Sequence, residues 1–261
     1  MSKLIAVTGK GGVGKTTVSA LLIKNLLAAG KSPVLAIDAD PNSCLDAALG
    51  VCVTGTVGQA REDVRVSSGT GANISKRELL RIKIEEGLVE ANGFDLIAMG
   101  RPEGAGCYCY ANNVLKDVIA EISSHYPAIV LDNEAGLENL SRRIVQKADA
   151  MVLVSDASNA GLQTLIRLYE LAGEMGMAYG KLALVINKLR GAGMPDRTAE
   201  IREKTGAAIA IGLPDDDEVA AFAETSRSFL EISDSNPVYE KVGALLKELL
   251  LDSGARIQPL V

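Results

Sequence analysis

Short runs along the chain are apolar at nearly every position: Leu4–Thr8, Val34–Ile37, Leu96–Met99, Ala128–Leu131, Met151–Val154, Leu182–Ile186 and Ala208–Ile211. Continuous rather than alternating hydrophobicity marks strands covered on both faces, as in a parallel sheet. Between and after these runs the spacing turns helical over Thr16–Ala29, Asn112–Ser124, Leu137–Lys147, Leu162–Gly173 and Arg197–Lys204. The alternation predicts an α/β fold, a doubly wound and mostly parallel sheet whose ligands gather at the C-terminal edge of the strands. Residues 51–92 depart from it, with Gly55, Gly58, Gly69 and Gly71 ahead of the charged stretch Lys76–Arg81. That region reads as a mobile insertion carrying one helix. With no internal repeat and no long linker, residues 1–261 read as a single domain. Near the end, Lys241–Asp252 is apolar on one face and almost neutral, which predicts a helix packed on the core rather than laid on a membrane.

The first apolar run ends in Gly9-Lys10-Gly11-Gly12-Val13-Gly14-Lys15-Thr16-Thr17, and a helical pattern starts at Val18. Gly9, Gly14, Lys15 and Thr16 satisfy Gly-x-x-x-x-Gly-Lys-Ser/Thr in the strand–loop–helix setting a phosphate-binding loop requires. Glycines let backbone N–H groups close on phosphate oxygens, and the following helix adds positive potential. Lys15 is placed to reach the β- and γ-phosphates and Thr16 to ligate Mg²⁺. Lys10 is a second loop lysine that the simple pattern does not need.

Two other strands end in carboxylates: Val34–Ile37 runs into Asp38-Ala39-Asp40-Pro41-Asn42, and Ala128–Leu131 into Asp132-Asn133-Glu134-Ala135-Gly136. At the ligand edge one such group can hold Mg²⁺ through water, the expectation for Asp38, and another can orient the attacking water. Asp132, after four apolar residues, has the form of a magnesium-side aspartate. An extended segment would aim Asp38 and Asp40 the same way. Helix capping is the competing role for either. Gly136 is the expected pivot of a loop sensing the γ-phosphate. Asn187, closing the Leu182–Ile186 run, can pair with a purine edge or simply end the strand in a turn.

Composition narrows the class. The chain is 48% hydrophobic and 23% charged, which fits a globular fold, and its net charge is −6 with a pI near 5.0. No Lys/Arg run exceeds two residues, which argues against nucleic acid as a partner. No apolar run approaches membrane-spanning length and no secretory leader is visible, so a cytoplasmic location with reduced cysteines is expected. Cys44 and Cys52 are expected to be buried as small hydrophobes, and His125 to sit exposed at a helix end. Cys107 and Cys109 differ: they follow a strand and the glycines Gly104 and Gly106. In an extended loop, residues two apart face one way, making half of a soft-metal site. A second copy of the chain would complete four thiolates around Zn²⁺ or Ni²⁺. A buried or redox-active pair is the alternative.

Together these residues resemble the MinD/ArsA/nitrogenase iron protein group, P-loop NTPases with a deviant Walker A loop that dimerise around ATP. The likeness rests on Lys10–Thr17 with its extra lysine. It implies that Lys10 crosses to the partner's nucleotide and that Lys15, Asp40 and Asp132 serve hydrolysis. It also implies that Gly11, Gly12, Val13, Gly14, Lys15, Thr16, Thr17, Asn187 and Pro214 hold ATP or ADP. Within the group the chain is similar to the CooC-type nickel-insertion ATPases of carbon monoxide dehydrogenase maturation, through Gly106-Cys107-Tyr108-Cys109, Asp38–Ser43, and Asp132–Gly136 followed by Leu137–Arg142. The related acetyl-CoA synthase maturation ATPases look much the same. The resemblance implies a homodimer formed on nucleotide or metal binding, a Ni²⁺ (or Zn²⁺) ion shared through Cys107 and Cys109, and a client nickel enzyme. Two other readings are a MinD/ParA-type positioning ATPase and an iron–sulfur reductase like the nitrogenase iron protein. The second conflicts with the lack of a cysteine in Asp132–Gly136.

Overall fold

A twisted sheet runs through the whole computed structural model, which describes residues 2–66, 74–101, 109–135, 147–191, 193–251 and 258–259, the last pair and 109, 110 and 135 by backbone alone. The strands are β1 (Lys3–Gly9), β2 (Val34–Asp38), β3 (Val89–Glu90), β4 (Phe94–Ala98), β5 (Ala128–Ala135), β6 (Lys147–Asp156), β7 (Ala178–Leu189), β8 (Ile209–Pro214) and β9 (Gln258–Pro259). Their spatial order is β3-β4-β2-β5-β1-β6-β7-β8, with β9 on β7. All pairings are parallel except β3 on β4 and β9 on β7. This is the expected doubly wound sheet. Among the described residues, no helix is long and apolar enough to cross a membrane.

Alternate residues of each strand serve opposite faces, which explains why the strands are apolar throughout. Leu35 and Ile37 of β2 join one core with Ile97, Leu131, Leu153 and Leu184. Val34 and Ala36 join the other with Val7, Val130 and Val152. The second face is covered by α1 (Lys15–Ala28) and α9 (Pro237–Leu250), which pack on each other. Val242, Leu245, Leu246 and Leu249 of α9 are buried there, as its amphipathic pattern predicts. Each such side chain contributes about 1.5–3 kcal/mol on burial. The first face is covered by α5 (Cys109–Ile122), α6 (Asn159–Glu174) and α7 (Arg197–Thr205).

Several expectations change. Residues 51–92 hold two helices among the described residues, α3 (Val57–Val66) and α4 (Lys76–Glu86), where one was expected. Val57, Ala60 and Val64 of α3 and Leu80 and Ile84 of α4 enter the first core, so neither described helix is a loose appendage. Their helical spacing was obscured by flanking glycines and charge. The helix expected over Leu137–Lys147 falls mostly at 136–146, outside the described residues, while Lys147 itself starts β6. Two short helices, α2 (Leu45–Leu49) and α8 (Asp217–Glu224), are too brief to show a period in sequence. Cys44 and Cys52 are both exposed, not buried. Cys44 occupies the N-cap of α2 and Cys52 lies in the irregular stretch after Gly50, positions where neither faces a core. His125 is exposed in a 3₁₀ turn that ends α5, as expected.

Candidate nucleotide-binding site

The C-terminal ends of β1, β2, β5, β6 and β7 converge on one cleft of about 1160 Å³. The loop from Gly9 to Thr17 forms its floor. Gly9 sits where β1 touches β6, and a Cβ there would meet the Val154 carbonyl oxygen at 2.2 Å. Gly12 and Gly14 have φ of +79° and +93°, the left-handed region that favours glycine. Gly14 is the N-cap of α1, with no side chain over the first amides, so these N–H groups are free to meet an anion. Lys15 is buried, and its Nζ donates to the Lys10 carbonyl oxygen at 3.2 Å. Lys10 is exposed. Gly11, Gly12, Gly14, Lys15, Thr16 and Thr17 all line the cleft, while Val13 turns inward, 2% exposed, and lends its carbonyl to Asn187.

The two strand-end carboxylates stand side by side, since Asp38 and Asp132 are direct partners in the β2–β5 register. Both are 1% exposed. Asp132 accepts from the Thr16 hydroxyl at 2.7 Å and from the Ser19 hydroxyl at 3.0 Å. Burial pushes its carboxyl up to about 6, against the pull of those hydroxyls and of the Lys15 charge. Asp38 accepts the amides of Asp40 at 3.0 Å and Leu45 at 2.9 Å. Burial, and then the neighbouring Asp132, raise it to about 7. Two buried carboxylates beside a hydroxyl form an all-oxygen donor set of the kind a hard divalent cation takes, since its charge would offset the burial that raises both groups.

One geometric expectation fails. Asp38 and Asp40 do not face one way, because the chain turns at Asp40 instead of running on extended. Asp38 points inward and caps the first amide of α2, whereas half-buried Asp40 lines the cleft and accepts the Asn42 amide at 2.8 Å. The capping role therefore falls to Asp38.

At the other end of the cleft, Asn187 is 8% exposed and donates through Nδ2 to the Val13 carbonyl at 2.8 Å. Pro214 lines the same end, with Asp215 and Val219. Sequence reasoning missed Lys188 and Asp156. Lys188 takes φ +57° and folds back so that Nζ donates to the Gly12 carbonyl at 3.0 Å. Asp156 pairs with Asn187 across β6–β7. Hydrogen bonding from Ser158 holds its carboxyl below the usual range, helped by Lys10 and Lys188. The available signal was positional: Asp156 follows an apolar strand at the ligand edge, as Asp38 and Asp132 do. Cys107 and Gly136 lie outside the described residues, and Cys109 is described only as the first backbone position of α5.

Gly14→Ala is a local test of the loop. The new Cβ would lie 2.4 Å from Asn187 Nδ2 on a left-handed backbone. The expected cost is about 1–3 kcal/mol of stability, with loss of most ATP-induced thermal shift. An unchanged ATP shift would remove the loop from nucleotide binding.

Comparison with known proteins agrees with this geometry. Residues 4–229 match the family described as "CbiA: CobQ/CobB/MinD/ParA nucleotide binding domain". An uncharacterized ATP-binding protein of Methanocaldococcus jannaschii is 39% identical over 250 residues, covering 95% of this chain and 98% of the relative. The carbon monoxide dehydrogenase accessory protein CooC of Rhodospirillum rubrum is 32% identical over 197 residues, covering 71% of this chain and 74% of the relative. Among solved structures, apo McdA from Cyanthece superposes with a TM-score of 0.69 at 20% identity, covering 96% of this chain and 100% of that one.

Proposed function

The chain belongs to the CobQ/CobB/MinD/ParA nucleotide-binding domain family, and from that premise we propose that it is an ATP-hydrolysing metallochaperone that carries Ni²⁺ at a Cys107/Cys109 site shared by two subunits. One observation carries this reading: β4, parallel to β2 and beside it, ends at the sheet edge where the phosphate loop lies, and Cys107 and Cys109 follow that strand end in sequence. A CooC relative at 32% identity supports the choice of cargo, and the client is carbon monoxide dehydrogenase or the related acetyl-CoA synthase.

Each residue then has a task. The loop amides from Gly11 to Thr17 hold the phosphates, and Lys15 offsets the charge on the terminal one. Asn187 and Pro214 border the base. Thr16 and, through water, Asp38 would hold Mg²⁺, with Asp132 fixing the Thr16 hydroxyl, and the ion would supply charge neutralisation for the phosphates. Asp40, facing the cleft, orients the attacking water. Exposed Lys10 reaches the nucleotide of a second subunit, so ATP draws two copies together around the metal. Hydrolysis separates them and frees Ni²⁺ to the client.

A positioning ATPase is the second reading, which the match to the CobQ/CobB/MinD/ParA family supports equally. Against it, α9 already buries its apolar face on α1 and is not free to lie on a membrane. Anaerobic size exclusion with metal analysis, run with and without Ni²⁺ and ATP, separates the two. The metallochaperone reading predicts one Ni²⁺ per dimer. A dimer that forms with ATP but holds no nickel would sink it.

A further inference from the structure

Arg101, exposed just beyond β4, donates through Nη2 to the Asn42 side-chain oxygen. Asn42 is in turn fastened to Asp40. Its backbone N–H donates to Asp40 Oδ1 at 2.8 Å and its Nδ2 donates to the same oxygen at 3.0 Å. One oxygen of Asp40 is thus held by two donors from Asn42, and the remaining polar atom of the Asn42 side chain is held by Arg101. Asp40 and Asn42 line the nucleotide cleft, whereas Arg101 is not among its walls. The backbones are tied as well. The Met99 N–H donates to the Asp38 carbonyl at 2.8 Å, and the Gly58 N–H donates to the Met99 carbonyl at 2.9 Å. Gly100 then turns with φ +66° so close to Thr56 that a Cβ would meet its hydroxyl at 2.4 Å. The sharp turn therefore fixes where Arg101 leaves the sheet. Six positions later in sequence stands Cys107.

We propose that Arg101 is a positioning residue for ATP hydrolysis: through Asn42 it sets the orientation of the Asp40 carboxylate, and it ties that carboxylate to the chain segment leading to Cys107. The first half stands on these hydrogen bonds and on the proposed role of Asp40 in hydrolysis. The second half, that metal occupancy is sensed at Asp40, rests on the metallochaperone reading.

The two halves are tested separately. Arg101→Ala is expected to lower kcat for MgATP about five- to tenfold with KM within about twofold, the effect of removing one charge-assisted hydrogen bond at a solvent-exposed position. Its melting temperature should match wild type, since Arg101 buries nothing. Arg101→Lys, which keeps a donor, should recover most of the rate. Asn42→Ala should show a similar loss, and the double variant should lose no more than either single one, because both break the same chain of hydrogen bonds. An unchanged kcat, a defect confined to KM, or additive losses would each overturn the assignment. In the second arm, Ni²⁺ should change the wild-type rate and leave that of Arg101→Ala unmoved. A variant that still responds to Ni²⁺ removes the sensing role. A wild type that binds no Ni²⁺ refutes the metallochaperone reading, and the kcat arm still decides on Arg101.

Discussion

Lys15→Ala is expected to cut kcat/KM for ATP by at least about 100-fold, in the range seen when one preorganised charge-stabilising donor is removed. Lys15 is 7% exposed, and its described acceptor is a single loop carbonyl, at 3.2 Å. An ammonium has three donors, so in the free protein it is a buried cation held ready for an anion. It also acts on the carboxylates, since its charge lowers the buried Asp132. Removing it takes away the counter-charge for the terminal phosphate and pushes the Asp132 carboxyl higher still. Deleting a thinly partnered buried charge should leave the apo protein as stable as wild type or more so. The measurement is therefore paired: steady-state hydrolysis, and melting with and without MgATP. Wild type should gain several degrees with ligand and the variant almost none. A variant that hydrolyses ATP at the wild-type rate would falsify the phosphate-loop role.

Cys107→Ala with Cys109→Ala is expected to abolish stoichiometric nickel binding while leaving ATP-induced protection in place. ATP protection is expected to come from the described lining of the cleft, the phosphate loop together with Asn187 and Pro214. Soft-metal affinity requires thiolates. Wild-type affinity should accordingly fall as pH drops, because protons compete for the ligands. Metal analysis after anaerobic desalting reads the result. Retention of one Ni²⁺ per dimer by the double variant would place the metal elsewhere, and loss of ATP protection along with nickel would mean that the substitutions had damaged the fold.

Much of this protein could be read from its residues in order. Strands covered on both faces must be apolar throughout, and so β1, β2, β4, β5, β6, β7 and β8 are visible as runs. The phosphate loop is largely local: Gly12 and Gly14 are dictated by positive φ within a few residues of Lys15, while Gly9 answers to the Val154 carbonyl of the neighbouring strand. What failed were features whose cause lies across the fold. α3 and α4 become core helices only because a sheet face waits for Val57, Val64, Leu80 and Ile84. Cys44 and Cys52 are exposed because of where α2 and the stretch after it lie, which cysteine chemistry alone does not predict.

The sequence by itself determined the strand–loop–helix unit, the parallel sheet and the edge at which a nucleotide binds, because each follows from hydrophobic period and glycine conformation over short distances. Tertiary structure alone decided how the carboxylates divide their work. Asp38 and Asp132 are 94 residues apart, yet β2–β5 pairing makes them neighbours, and shared burial raises both. Asp40, two residues on from Asp38, escapes that burial because the chain turns there to begin α2. It turns instead toward Asn42, which Arg101 reaches from β4. Those links depend on strand order, and strand order is a property of the whole sheet.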